Sequence, residues 1–122
     1  MENTIHPPFV RLEKMIAYAF QKEKNRADSM KRDARHHGAD VAITNVMCEV
    51  GNAFLFSAQD FTGKAKPEFL TLARESMQTI GDWLVIAADV KRNMGSLDPV
   101  WALDQLQPNL QRVLDEFRPK LM

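Results

Sequence analysis

The fold is decided by residues 67–94, which have the sequence PEFLTLARESMQTIGDWLVIAADVKRNM. Apolar residues recur there at steps of three and four, as they do along one face of an α-helix. One apolar stripe contains Leu70, Ala73, Met77, Ile80, Leu84, Ala87 and Met94, and a second contains Phe69, Leu72, Trp83, Ile86 and Val90. Because two stripes are wider than one neighbouring helix can cover, we expect this helix to lie at the centre of a helical domain.

The same periodicity, with helix-start and helix-stop residues, predicts three further helices. The four predicted helices span residues 9–36, 40–61, 67–94 and 99–118. Asp40 is the candidate N-cap of the second helix, and Asp98 followed by Pro99 is a strong start for the last. Pro108 is expected to kink the last helix without dividing it, because the periodicity continues past it. The sequence therefore predicts an all-α, four-helix bundle-like domain, antiparallel and dimeric.

The N-terminal residues are expected to differ from the rest of the chain. Pro7 and Pro8 favour extended geometry in the residues before them, and nothing ahead of them is periodic. We therefore predict an extended arm over residues 1–8 and a single helical domain over residues 9–122.

The composition is that of an ordinary globular domain. Hydrophobic residues make up 45% of the chain, and the 16 Lys and Arg residues balance the 16 Asp and Glu residues. No net charge therefore steers the protein toward nucleic acid or an anionic membrane. The single cysteine excludes an internal disulfide and indicates a reducing compartment. Because neither a bilayer-spanning apolar run nor a signal-peptide segment is recognised, we expect a cytoplasmic protein without membrane contact.

The sequence contains no recognisable catalytic motif. Phosphate-binding glycine loops, nucleophile elbows and zinc-finger spacings are missing, as is the Glu-x-x-His pair of di-metal bundles. Cys48 lies in the apolar second helix with no basic residue next to it on its face, which favours a buried structural thiol. We predict a non-enzymatic protein without a cofactor.

One local group of residues could in principle bind a metal ion. It consists of Asp33, His36, His37 and Asp40. Asp33 and His37 share a helix face, but adjacent histidines point about a third of a turn apart. We interpret the group as a polar helix end and predict no metal site.

A basic segment raises the question of nucleic-acid binding. It contains Lys22, Lys24, Arg26, Lys31, Arg32 and Arg35. Glu23, Asp28 and Asp33 are interleaved with these cations, and no aromatic residue is present in the run to stack on a base. We therefore expect a solvated helix face and no nucleic-acid site.

The second and third helices carry more apolar surface than a small bundle can bury. Exposed apolar area of this kind marks protein interfaces, and a symmetric dimer is its commonest use. The residues predicted to form a partner or dimer interface are Met47, Phe54, Phe56, Trp83, Val85, Ile86, Val90 and Trp101. Large aromatic side chains dominate such interfaces.

Two segments support a resemblance at the level of overall build. They are MCEVGNAFLF at residues 47–56 and MQTIGDWLVIAADV at residues 77–90. With the short chain and the all-helical plan, these wide apolar stripes resemble the small bacterial antiactivators of the TraM and QslA type, which sequester LuxR-type quorum-sensing regulators. The resemblance implies a protein that covers the dimerisation or DNA-binding surface of a transcription factor, and it assigns no role to any single residue.

Three functions from different classes are therefore kept. The leading hypothesis is a regulator or inhibitor that occludes a partner protein through apolar anchors on the second and third helices. The alternatives are a bundle that binds a small molecule or metal between its helices, and a nucleic-acid accessory protein that uses the face of residues 22–37.

Overall fold

The structure is a computed structural model that describes residues 7–29, 38–95 and 97–121. Four α-helices follow one another: α1 (Pro7–Ser29), α2 (Ala39–Ser57), α3 (Ala65–Met94) and α4 (Pro99–Phe117). Short 3-10 segments, Ala58–Asp60 and Arg118–Leu121, extend α2 and α4. Because these ranges contain no β-strand, the predicted all-α, four-helix architecture is confirmed.

Contacts between neighbouring helices show that the bundle is antiparallel. Between α1 and α4, Lys24 contacts Asp104 and Glu13 contacts Arg118, so the two helices run in opposite directions. α2 and α3 are also antiparallel, because Phe54 packs on Phe69 and Asp40 pairs with Lys91. Between α1 and α2, Arg11 pairs with Asp60 and Lys22 with Glu49, so these helices are antiparallel too. Each helix therefore runs opposite to the helix before it.

Three helices begin at other residues than predicted, and α2 ends at Ser57 instead of residue 61. α1 begins at Pro7, because prolines are accepted in the first turn, where backbone N–H groups have no helical acceptor. α2 begins after Gly38, which is extended at φ −90° and ψ 179°, so the prediction of Asp40 as N-cap is wrong. α3 begins at Ala65, two residues before Pro67. Residues 1–6 of the predicted arm and residues 30–36 of the first predicted helix lie outside the described residues.

The start of α4 agrees with the prediction. The Asp98 carboxylate accepts a hydrogen bond of 2.8 Å from the backbone N–H of Trp101, and Pro99 occupies the first turn. α4 continues through Pro108 to Phe117 as a single helix. The kink expected at Pro108 stays a prediction.

The core lies between all four helices and is rich in phenylalanine. Phe61 stacks on Phe69 with ring centroids 4.3 Å apart, and Phe54 packs against the same ring at 5.7 Å. The largest fully buried side chains are Phe9, Phe20, Phe61, Phe69, Leu12, Ile43, Leu72, Ile80, Leu103, Leu106, Leu110 and Leu114.

The central position belongs to α2 and α4, and not to α3 as predicted. α2 and α4 contact each other and both remaining helices, whereas α1 and α3 pack mainly on α2 and α4. One side of the bundle is consequently formed by α1 and α2, and the opposite side by α3 and α4.

Candidate interaction surfaces

The eight residues predicted to form an interface do not share one environment. Phe54 is only 5% exposed and belongs to the core, so the prediction that it leaves the core is wrong. The Phe54 ring packs against Phe69 of α3. The sequence pattern of α2 alone does not show this contact with another helix. The half-buried residues of the set are Met47, Trp83 and Val90. Its exposed residues are Phe56, Val85, Ile86 and Trp101.

Four of these residues form a surface on the α3–α4 side, here called the tryptophan surface: Trp83, Ile86, Val90 and Trp101. The two indole rings meet edge to face with centroids 6.3 Å apart. Ile86 and Val90 follow Trp83 at spacings that keep them on its face of α3. Trp101 is 48% exposed and Ile86 is 45% exposed, so both side chains expose apolar surface to solvent. Val85 is 61% exposed, but it points about 100° away from Ile86 around the helix and lies outside this surface.

A groove of about 360 Å³ borders the tryptophan surface. Trp83 and Val113 form its apolar walls, and Asp82 and Glu116 contribute carboxylates to its lining. Among the described residues of the lining, Arg112 is the one cation, and its guanidinium donates to the side-chain oxygen of Asn109. The edge of the surface along this groove is therefore more acidic than basic.

A second exposed surface lies on the α1–α2 side, and Phe56 is its only member among the predicted interface residues. We call it the α2 surface; its members are Tyr18, Thr44, Cys48, Asn52, Leu55, Phe56 and Gln59. Leu55 is 76% exposed, Tyr18 67% and Phe56 59%. The spacing of Cys48 and Leu55 was a signal for this face, but periodicity cannot tell a buried stripe from an exposed one. Cys48 is exposed, so its prediction as a buried thiol is wrong.

A groove of about 490 Å³ runs along the α2 surface between α1 and α2. Met15, Ala19 and Ala53 contribute to its apolar lining, and Tyr18 and Phe56 also line it. Arg11 and Lys14 lie toward one end, and Glu49 lies toward the other. The groove is open to solvent and is therefore a surface feature rather than an interior cavity.

The charges of α2 are held at its edges. Asp40 pairs with Lys91 of α3 at 3.1 Å, and Glu49 pairs with Lys22 of α1 at 3.3 Å. Asp60, just beyond the helix, pairs with Arg11. All exposed residues between Ala39 and Asp60 are therefore uncharged.

The described part of the basic segment is compensated by acidic partners. Lys22 pairs with Glu49, Lys24 lies 3.2 Å from Asp104, and Arg26 lies 3.7 Å from the buried Glu23. Such pairs reduce the positive potential that nucleic-acid binding requires. Lys31, Arg32 and Arg35 lie outside the described residues.

The metal candidate can be located only in part. Asp33, His36 and His37 fall outside the described residues, and Asp40 is engaged with Lys91. Within residues 7–29, 38–95 and 97–121, no three His, Cys, Asp or Glu side chains come together in a way that could hold an ion.

One helical segment is relevant to the expectation that the protein has no membrane contact. Residues Ala39–Asp60 form a helical stretch of mean hydropathy 1.3 that is long and apolar enough to cross a bilayer by length and composition alone. A core helix of a water-soluble protein passes the same test, and this helix packs on the other three. The segment is therefore weak evidence for a membrane span.

No protein-family model, curated protein or solved structure matches this chain. The two surfaces and their chemistry therefore carry the functional argument.

Proposed function

We propose that this chain is a cytoplasmic, non-enzymatic regulator that binds a partner protein and occludes one of its surfaces. The observation that carries the proposal is the contact of Trp83 with the half-exposed Trp101 beside the exposed Ile86. Tryptophan is strongly enriched among the residues that supply most of the free energy of protein binding. The tryptophan surface is accordingly the contact surface of the proposed regulator.

The tryptophan surface has the properties of a preformed anchor. Trp83 is half-buried and packs against the core, and its edge-to-face contact restrains the ring of Trp101. A side chain that is already ordered loses less conformational entropy when a partner covers it. Burying the exposed part of these side chains would therefore favour binding with little reorganisation.

The acidic edge defines the chemistry of the partner. Asp82 and Glu116 outnumber Arg112 at the neighbouring groove, so the edge attracts a partner surface that is apolar at its centre and basic at its rim. The DNA-binding surfaces of transcription factors are basic. An antiactivator of a transcription factor, as in quorum sensing, is the favoured form of this function, and the small all-helical build supports it.

Two matched variants test this function. Ile86→Asp places a charge within the tryptophan surface, and Val85→Asp places the same charge on the neighbouring, more exposed residue outside it. We expect a DNA-binding protein to co-purify from native lysate with the wild type and with Val85→Asp, but not with Ile86→Asp. Circular dichroism should show equal helicity in all three proteins.

The same variants test occlusion directly. The captured regulator should lose binding to its operator DNA when wild-type protein or Val85→Asp is added, and keep it when Ile86→Asp is added. Equal capture and equal inhibition by Ile86→Asp would refute the role of the tryptophan surface. Capture of a partner that does not bind DNA would refute the antiactivator form.

A further inference from the structure

We propose that the α2 surface is the interface of a two-fold symmetric dimer of this chain, with the α2 helices antiparallel and the symmetry axis near Asn52. The proposal concerns the α1–α2 side of the bundle and does not depend on the proposed function of the α3–α4 side. Asn52 lies midway between Thr44 and Gln59, the outermost exposed residues of the uncharged face.

The first argument is the distribution of charge. Exposed charged residues occur on the other three helices, for example Arg11 on α1, Glu75 on α3 and Asp104 on α4. The two acidic residues of α2, and Asp60 just beyond it, are paired at the edges, so a second copy could cover the outer face without desolvating an unpaired carboxylate. Depletion of charge at the centre is what distinguishes an interface from the rest of a protein surface.

The second argument is shape. Leu55 projects from α2 with 76% of its surface exposed, and the groove lined by Ala19, Asn52 and Ala53 lies beside it. A two-fold axis near Asn52 carries Leu55 of each copy to the position opposite the groove of the other copy. The surface therefore provides both a projection and a recess, as a self-complementary interface requires.

The third argument is area. The solvent-accessible area of Tyr18, Leu55 and Phe56 sums to about 400 Å², taking a full area of roughly 200 Å² for a large apolar side chain. A stable interface buries about 800 Å² on each partner. Thr44, Cys48, Asn52 and Gln59 are exposed and uncharged on the same face, and they add further area.

The oligomeric state tests the proposal. We expect the full chain to sediment as a dimer at micromolar concentration, and Leu55→Asp to weaken the dimer by about a hundredfold or more, because symmetry buries the new charge twice. Val85→Asp and Ile86→Asp should leave the dimer intact. A monomeric wild type would overturn the proposal, as would a dimer that survives Leu55→Asp and is lost in Ile86→Asp.

Cross-linking tests the position of the axis. In a Cys48→Ala background, Asn52→Cys places one thiol of each copy beside the axis, and mild oxidation should give a covalent dimer. Gln105→Cys, on the exposed face of α4, is the matched control and should stay monomeric on denaturing gels. Equal cross-linking of the two variants would overturn the assigned interface.

The native thiol provides an independent readout. Cys48 is exposed in the single chain and would be covered in the dimer. Its alkylation rate should therefore fall as the wild-type concentration rises, and should stay constant and fast in Leu55→Asp. A wild-type rate that does not change across the measured dimerisation range would contradict the proposed interface.

Discussion

Gly51 of α2 and Met77 of α3 face each other across the helix pair, and a Cβ added at Gly51 would lie 3.5 Å from the terminal methyl of Met77. This is an ordinary van der Waals distance. A glycine within an apolar helix can allow an especially close approach of two helices, but here the structure leaves room for a methyl group. Gly51 therefore costs helix stability without a compensating contact.

We predict that Gly51→Ala raises the free energy of unfolding by about 1 kcal/mol, since alanine favours the helix by that amount. Urea denaturation followed by circular dichroism measures the change. Gly81→Ala is the companion variant, because its added Cβ would lie 3.8 Å from the terminal methyl of Met47. A loss of stability in both variants would show that the α2–α3 packing is tighter than described.

Phe54 and Phe56 provide a matched pair two residues apart. Phe54 is 5% exposed and contacts Phe69, whereas Phe56 is 59% exposed. Phe54→Ala should cost about 3–5 kcal/mol, because it removes buried area and leaves a cavity. Phe56→Ala should change stability by less than about 1 kcal/mol when measured at concentrations where the protein is monomeric. Thermal unfolding distinguishes these outcomes, and equal losses would contradict the described orientation of α2.

Glu13 and Arg118 join the first helix to the segment after the last one. The closest oxygen and nitrogen lie 2.7 Å apart, and both side chains are mostly buried, at 21% and 29% exposure. A double-mutant cycle with Glu13→Gln and Arg118→Met should give a coupling free energy of about 1 kcal/mol that decreases in high salt. The exposed pair Asp89–Arg92 is the control and should show almost no coupling. Equal coupling in both pairs would contradict the described geometry.

Much of the fold could be predicted because helix periodicity and helix-start chemistry are local properties. Asp98 followed by Pro99 was enough to locate the start of α4, where the carboxylate receives the Trp101 N–H. The start of α2 was misplaced because Gly38 can be extended without a side-chain cap, while Asp40 pairs with Lys91 instead.

The arrangement of the helices was harder to predict because it depends on contacts between distant residues. In one stripe of α3, Ile80 is buried but Leu70 remains 53% exposed. Periodicity shows that such residues share a face, but the neighbouring helix decides which part of the face is covered. The tryptophan surface was partly predicted because large aromatic residues stand out in a sequence. Of the α2 surface only Phe56 was predicted, because the distinctive property of that surface is the lack of exposed charge.

The separation of the two surfaces has a consequence for stoichiometry. Leu55 lies on the α1–α2 side of the bundle and Trp101 on the α3–α4 side, so covering one leaves the other accessible. A dimer joined through α2 would carry two outward-facing tryptophan surfaces and would be bivalent. When one of them captures a subunit of a dimeric partner, the second acts at a high effective concentration, provided that the spacing fits. Retention of the partner would then depend on avidity as much as on the affinity of either tryptophan surface alone.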